Sequence, residues 1–241
     1  MFRYYIYTAL LGLLVPGVSL GEASFTPRMF EANYTIHMKG ARVARMTRQF
    51  TQLEDGAYRY HSETRTTGLI SIFRKDRFVE TSNWTLSDRR MIPRDYYYSH
   101  SGGKKERLVN IKFDWENKRI TNSVNGKSWK MPTTPNVMDK LLYQLAIMYD
   151  LQDGRENLRY TIADGGKIKD YNFEILGEET LSTPLGKLDT VKLERHKPNS
   201  RRKSTLWCAK KLEFLPVKVE NVEKDGRITT ALIKSLDGIA Y

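Results

Sequence analysis

The stretch from Val137 to Leu151, VMDKLLYQLAIMYDL, limits the possible folds more than any other part of the chain. At about 100° per residue, Val137, Met138, Leu141, Leu142, Leu145, Ala146, Met148 and Tyr149 cover roughly half of a helix surface. Asp139, Lys140, Gln144 and Asp150 collect on the other half, with Tyr143, Ile147 and Leu151 intruding. An apolar stripe this wide needs a concave partner rather than a thin seam. Nearly everything else after the N-terminus alternates as strands do. The expected fold is therefore mainly β: a curved antiparallel sheet or partly open β-barrel of about twelve to fourteen strands, wrapped around one central α-helix near 137–151.

The strand pattern is clearest at Phe30 to Lys39, where Phe30, Ala32, Tyr34, Ile36 and Met38 face one way and Glu31, Asn33, Thr35, His37 and Lys39 the other. In the next strand Arg42 and Arg48 share the parity of Met46 and Phe50, so its pattern is mixed. Asp55-Gly56, Asn125-Gly126 and Asp225-Gly226 are hairpin signals, the second being the strongest in the chain. Pro132 to Asn136 breaks the meander before the helix, and Asp153-Gly154 ends the helix. Thr67 to Phe73, TGLISIF, reads as a core-covering turn or short strand. Its alternative is a partly exposed apolar lip beside Arg74, Lys75 and Arg77.

The N-terminus points to export. Arg3 precedes the apolar run Ile6 to Leu20, which has signal-peptide length and is short for a membrane span. Gly21 and Ala23 supply small residues for cleavage after Ala23, with cleavage after Gly21 as the alternative. The expected organisation is a signal peptide at 1–23 and a single β-rich domain at 24–241, located in the periplasm, with no transmembrane segment in the mature chain. A single cysteine, Cys208, forbids an internal disulfide and reads as a buried, inert thiol.

The formal charge of +12 implies acidic partners without naming them. Aromatic residues alternate with Arg and Lys on the strands, as on a nucleic-acid stacking platform. Export argues against nucleic acid and for a lipid or another acidic envelope component. No cofactor is implied, because no phosphate loop or nucleophile elbow is present. His37, His61, His100 and His196 show no metal spacing, and no catalytic residue is assigned.

Several stretches together resemble the exported bacterial family catalogued as domain of unknown function 3108. They are FEANYTIHMKGARVARM, TTGLISIF at Thr66 to Phe73, IPRDYYY at Ile92 to Tyr98, DKLLYQL at Asp139 to Leu145, STPLGKLDTVKLER at Ser182 to Arg195 and FLPVKVE at Phe214 to Glu220. The resemblance implies a periplasmic, signal-peptide-bearing, β-rich protein, and it brings no activity and no catalytic residues. More loosely, a helix held in a curved sheet is similar to the periplasmic lipoprotein-carrier fold, whose members hold acyl chains in an apolar concavity.

The leading expectation is a non-enzymatic envelope protein that binds a lipid or other amphiphile in or beside an apolar concavity. The candidate lining is Tyr34, Ile36, Tyr58, Tyr60, Phe73, Phe78, Trp84, Leu141, Leu145 and Met148, with Arg74, Lys75 and Arg77 meeting an acidic head group. A second expectation is an interaction module with a solid core, which binds an acidic polymer or protein through Arg201, Arg202 and Lys203. A third is an enzyme whose site brings together at least two of His37, His61, Glu63 and Asp114.

Overall fold

The computed structural model describes residues 27–68, 70–103, 105–196 and 200–240. The expected export segment and its cleavage site lie outside the described residues, as do Lys197, Pro198 and Asn199.

In chain order the strands are β1 (Phe30–Met38), β2 (Ala41–Gln52), β3 (Tyr58–Thr66), β4 (Arg77–Ser87), β5 (Arg90–Ser101), β6 (Arg107–Asp114), β7 (Arg119–Val124), β8 (Lys127–Pro132) and β9 (Val137–Asp139). After the helix come β10 (Leu158–Asp164), β11 (Lys167–Thr183), β12 (Gly186–His196), β13 (Lys203–Ala209), β14 (Leu215–Val222) and β15 (Ile228–Asp237). Two helices interrupt them, a single turn α1 (Ile70–Phe73) and the longer α2 (Leu142–Gln152).

All fifteen strands join one sheet, in the order β8-β7-β6-β5-β4-β3-β2-β1-β15-β14-β13-β12-β11-β10-β9. Every neighbouring pair is antiparallel except β9 with β10. The alternation drives this: β1 buries Phe30, Ala32, Tyr34 and Ile36 and leaves the residues between them more exposed. Tight hairpins fix the register. Asn125 and Gly126 both have positive φ, 49° and 83°, as a two-residue hairpin turn requires.

Strongly twisted sheets of more than about ten strands curl, and this one curls until its two ends face each other. β8 and β9 are not hydrogen-bonded to one another, so the barrel stays open. Side chains bridge the seam instead. Ser82 on β4 reaches Asp139 on β9, and the Trp129 ring of β8 lies against Gly166 in the β10–β11 turn. Strand direction sorts the connections onto two rims. One rim holds the turns after β1, β3, β5, β7, β9, β10, β12 and β14, and the opposite rim, to which α2 returns, holds those after β2, β4, β6, β8, α2, β11 and β13.

The helix begins later than its sequence pattern suggests. Val137 to Asp139 are not helical but pair with Thr161 to Ala163 on the free edge of β10, which supplies one strand beyond the expected number. Asp139 then starts the helix, because its Oδ1 accepts the N–H groups of Leu141 at 2.8 Å and Leu142 at 2.9 Å. The exposed half expected for α2 is also largely missing. Leu142, Leu145, Ala146, Ile147, Met148 and Leu151 are buried around most of its circumference, as for a helix enclosed by its partners. Leu142, Leu145 and Met148 pack into the core built on β1 to β7, β14 and β15. Ala146, Ile147 and Leu151 pack against β10 to β13.

Two further differences bear on function. The described part of TGLISIF forms no strand: it holds the single turn α1, whose Ile72 and Phe73 do not cover the core but are 68% and 86% exposed. The mixed parity of β2 is real, because Arg48 points inward with Met46 and Phe50 and is only 8% exposed. Cys208 is fully buried, and burial pushes its thiol pKa up, which leaves it protonated and shielded.

Candidate functional site

The residues expected to line a cavity mostly pack against one another. Tyr34, Ile36, Tyr60, Trp84, Leu141, Leu145 and Met148 are buried in the larger core cluster. Tyr58 stacks on Trp84 with ring centroids 4.7 Å apart. Phe78 is half-buried and stacks on His100 at 4.1 Å. Phe73 is apart from all of them, on the surface turn α1.

The concavity beside α2 is built from other residues. It is a cleft of about 510 Å³ at the opposite rim, where the C-terminal half of α2 meets the start of β5, the approach to β9, and β10. Met91, Pro135, Met138, Ala146 and Tyr149 give it an apolar floor. Arg89, Arg90, Arg155 and Arg159 stand around it, with Asp150 and Asp153 as the only carboxylates in its lining. Arg89 bonds Asp153 at 3.0 Å, and Arg155 lies 3.2 Å from Asp150. The Tyr160 hydroxyl donates to Asp150 at 2.8 Å. Arg159 is exposed and forms no ion pair with a described residue. Four arginines against two aspartates leave the cleft cationic over an apolar base. Its parts are dispersed through 89–91, 135–138 and 146–161, so no linear motif marks it. Arg89 and Arg90 lie at the β4–β5 turn, Arg155 follows α2 and Arg159 is the second residue of β10.

A polar band crosses the inner face of the sheet above the aromatic core. Register places Arg48, Ser62, Glu80 and Tyr98 in one cross-strand row and Tyr60, Ser82 and Tyr96 in the next. The Tyr96 hydroxyl donates to Glu80 at 2.6 Å, and the Ser82 hydroxyl donates to Asp139 at 2.6 Å. Burial pushes the Asp139 carboxyl up to about 6, against the lowering effect of Ser82 and the two backbone N–H groups. Arg48 lies 5.6 Å from the Tyr34 ring centre, and its Nε and Nη1 find no acceptor among the described residues. On the other half of the sheet Arg195 stacks 3.9 Å over Tyr171.

The basic residues expected to meet a ligand are partly neutralised by neighbours. Arg74 binds Asp76 at 2.9 Å, and Arg77 binds Glu63. Arg202 pairs with Glu223 at 2.9 Å and Lys203 with Glu194 at 2.9 Å. Lys75 and Arg201 are exposed and form no ion pair with a described residue.

The four residues considered for an enzyme site do not bond to each other. His61 meets Thr81 at 2.9 Å, Glu63 is held by Arg65 and Arg77, and Asp114 accepts from Asn117. His37 borders a separate groove of about 570 Å³ on the outer face of β1, β14 and β15. Among the described residues the more enclosed of two histidine–carboxylate pairs is elsewhere: partly buried His100 and buried Asp76 meet at 2.8 Å. It shares Asp76 with Arg74, and no nucleophile among the described residues bonds to His100. No group of three or more His, Cys, Asp or Glu side chains suited to a metal converges among the described residues.

Comparison with known proteins extends the fold and adds no activity. No curated protein matches the chain. A β-barrel-like protein from Brucella abortus, of the domain of unknown function DUF1849, aligns over 87% of this chain and 97% of its own with a TM-score of 0.56 at 8% identity. A candidate exported protein with a YmcC-like fold from Bacteroides fragilis aligns over 88% and 96% with a TM-score of 0.37 at 10% identity. The family model described as a protein of unknown function, DUF3108, spans residues 33–233, from β1 into β15, and the chain belongs to that family.

Proposed function

We propose that this is an exported, non-enzymatic envelope protein that binds an amphiphile with an acidic head group in the cleft beside α2. The cleft itself carries the reading: an apolar floor of Met91, Met138, Ala146 and Tyr149 lies under four arginines. A hydrocarbon tail gains by leaving water against such a floor, while an acidic head gains from guanidinium hydrogen bonds at its edge. About 510 Å³ is within the range of small-molecule sites. Export rests on the N-terminal pattern of Arg3, the apolar run Ile6 to Leu20 and the small residues Gly21 and Ala23.

Native mass spectrometry of the full chain, purified gently from envelope fractions, tests the reading. The expected result is an adduct of lipid-like mass that is lost on denaturation and weakened when Arg155 and Arg159 are both changed to Glu. A clean apo mass, or an adduct indifferent to that double change, would overturn it.

A further inference from the structure

We infer that the rim carrying α1 is a docking face for a bilayer surface rich in anionic phospholipid. It lies at the opposite end of the sheet from the α2 cleft, so the two readings fail separately.

The first observation is apolar exposure at a protruding point. Ile72 and Phe73 stand on α1, in the connection between β3 and β4, at 68% and 86% exposure. Folding alone gives no reason to hold two large apolar side chains in water when the other described phenylalanines are buried wholly or in part.

The second observation is charge, and strand direction makes it visible. Six connections on this rim each present an exposed cation: Lys39, Lys75, Lys127, Lys167, Arg201 and Lys224. None of the six forms an ion pair with a described residue, whereas Arg74 and Arg77 beside α1 are paired with Asp76 and Glu63. The turns of the opposite rim mix signs: Glu54, Asp55, Asp88 and Glu116 stand there among Arg89, Lys118, Arg155 and Lys211. The residues are scattered in sequence, and only the antiparallel meander gathers them.

An apolar wedge within a ring of unpaired cations fits an anionic interface. The cations are drawn to acidic head groups, and the wedge enters the boundary between head groups and acyl chains. A soluble polyanion would satisfy the lysines and leave Ile72 and Phe73 in water, so the wedge favours a membrane.

The test must see past the apolar stretch at Ile6 to Leu20, which binds lipid on its own account wherever it is retained. A reporter at a defined position does this. The full-chain variants Phe73→Cys and Asp55→Cys, one for each rim, are labelled with an environment-sensitive fluorophore. Cys208 is fully buried and stays unlabelled in the folded protein. The proposal expects a blue shift at position 73 with vesicles of phosphatidylcholine and phosphatidylglycerol, none with phosphatidylcholine alone, and reversal by salt. Position 55 stays unchanged. In unlabelled protein, Ile72→Ser with Phe73→Ser lowers cosedimentation with the mixed vesicles, on the order of tenfold. Silence at position 73, or equal shifts at both positions, overturns the proposal. Salt-sensitive cosedimentation without any shift at position 73 also overturns it, in favour of an acidic polymer on the same rim.

Discussion

The Ser82 hydroxyl donates to Asp139 Oδ2 at 2.6 Å, and this bond ties the middle of β4 to the far edge strand, β9. Asp139 is also the acceptor that starts α2, so one buried carboxyl holds both the seam and the helix. Burial raises its pKa from 3.8 to about 6, so the folded protein holds that proton more tightly than the unfolded chain does. The contribution of this group to stability is therefore full below 3.8 and is lost as pH rises through about 6. A change of that size corresponds to about 3 kcal/mol. Asn at 139 keeps the oxygen for both N–H groups and offers an N–H to Ser82 without the charge. Urea unfolding of wild type and Asp139→Asn between pH 4 and pH 8 should show wild type gaining about 2 kcal/mol over the variant toward the acid end. A difference that is flat with pH would show that the carboxyl is not desolvated.

Arg48 supplies a second test. Its guanidinium is buried on the inner face, with two nitrogens that find no acceptor among the described residues. An incompletely paired buried charge is costly, and replacing such groups by apolar residues of similar volume is often stabilising by about 1–4 kcal/mol. Arg48→Met should therefore raise the midpoint of thermal unfolding. A fall would show that the guanidinium's interactions with Tyr60, Tyr34 and Glu80 outweigh its two unpaired nitrogens.

Cys208 sits between β12 and β14 with no exposed surface, and burial raises its thiol pKa. Reaction with a thiol reagent should follow global unfolding and not the thiolate fraction at the working pH. The measurement is labelling rate against denaturant concentration. Fast labelling in native buffer would mean that β13 opens locally.

The legible part of this molecule was what repeats along the strands. Period-two alternation and turns such as Asn125-Gly126 gave the β class and most of the meander. The pull of the β10 edge on Val137 to Asp139 was not legible, because edge pairing depends on a neighbour that arrives later in the chain. Arg48 did leave a trace, the wrong-parity charge in β2, but sequence does not say whether such a residue escapes to solvent or stays buried. The α2 cleft was invisible for a different reason. Its arginines come from two turns and a strand start that meet only after the sheet curls. In sequence the exposed lip at Ile72 and Phe73 is only the alternative to a core-covering turn, because a short apolar run beside a basic cluster fits either, and Phe73 itself reads as cavity lining.

The contact between Gly166 and Trp129 offers the most direct probe of how the open barrel holds together. These residues belong to opposite ends of the sheet order, and no backbone hydrogen bond joins those ends. Gly166 has a φ of 80°, and a Cβ on it would overlap the Trp129 ring. Gly166→Ala therefore adds two penalties, left-handed strain of about 1–2 kcal/mol and a steric clash across the seam. Trp129→Ala removes the clash and leaves the strain. The double variant should accordingly be less destabilised than the two single changes predict together, by about 0.5–3 kcal/mol of coupling. Chemical denaturation of the four proteins in the cycle gives that figure. Strict additivity would mean that Trp129 swings clear of the turn in solution, leaving the Ser82–Asp139 bond as the principal tie across the seam.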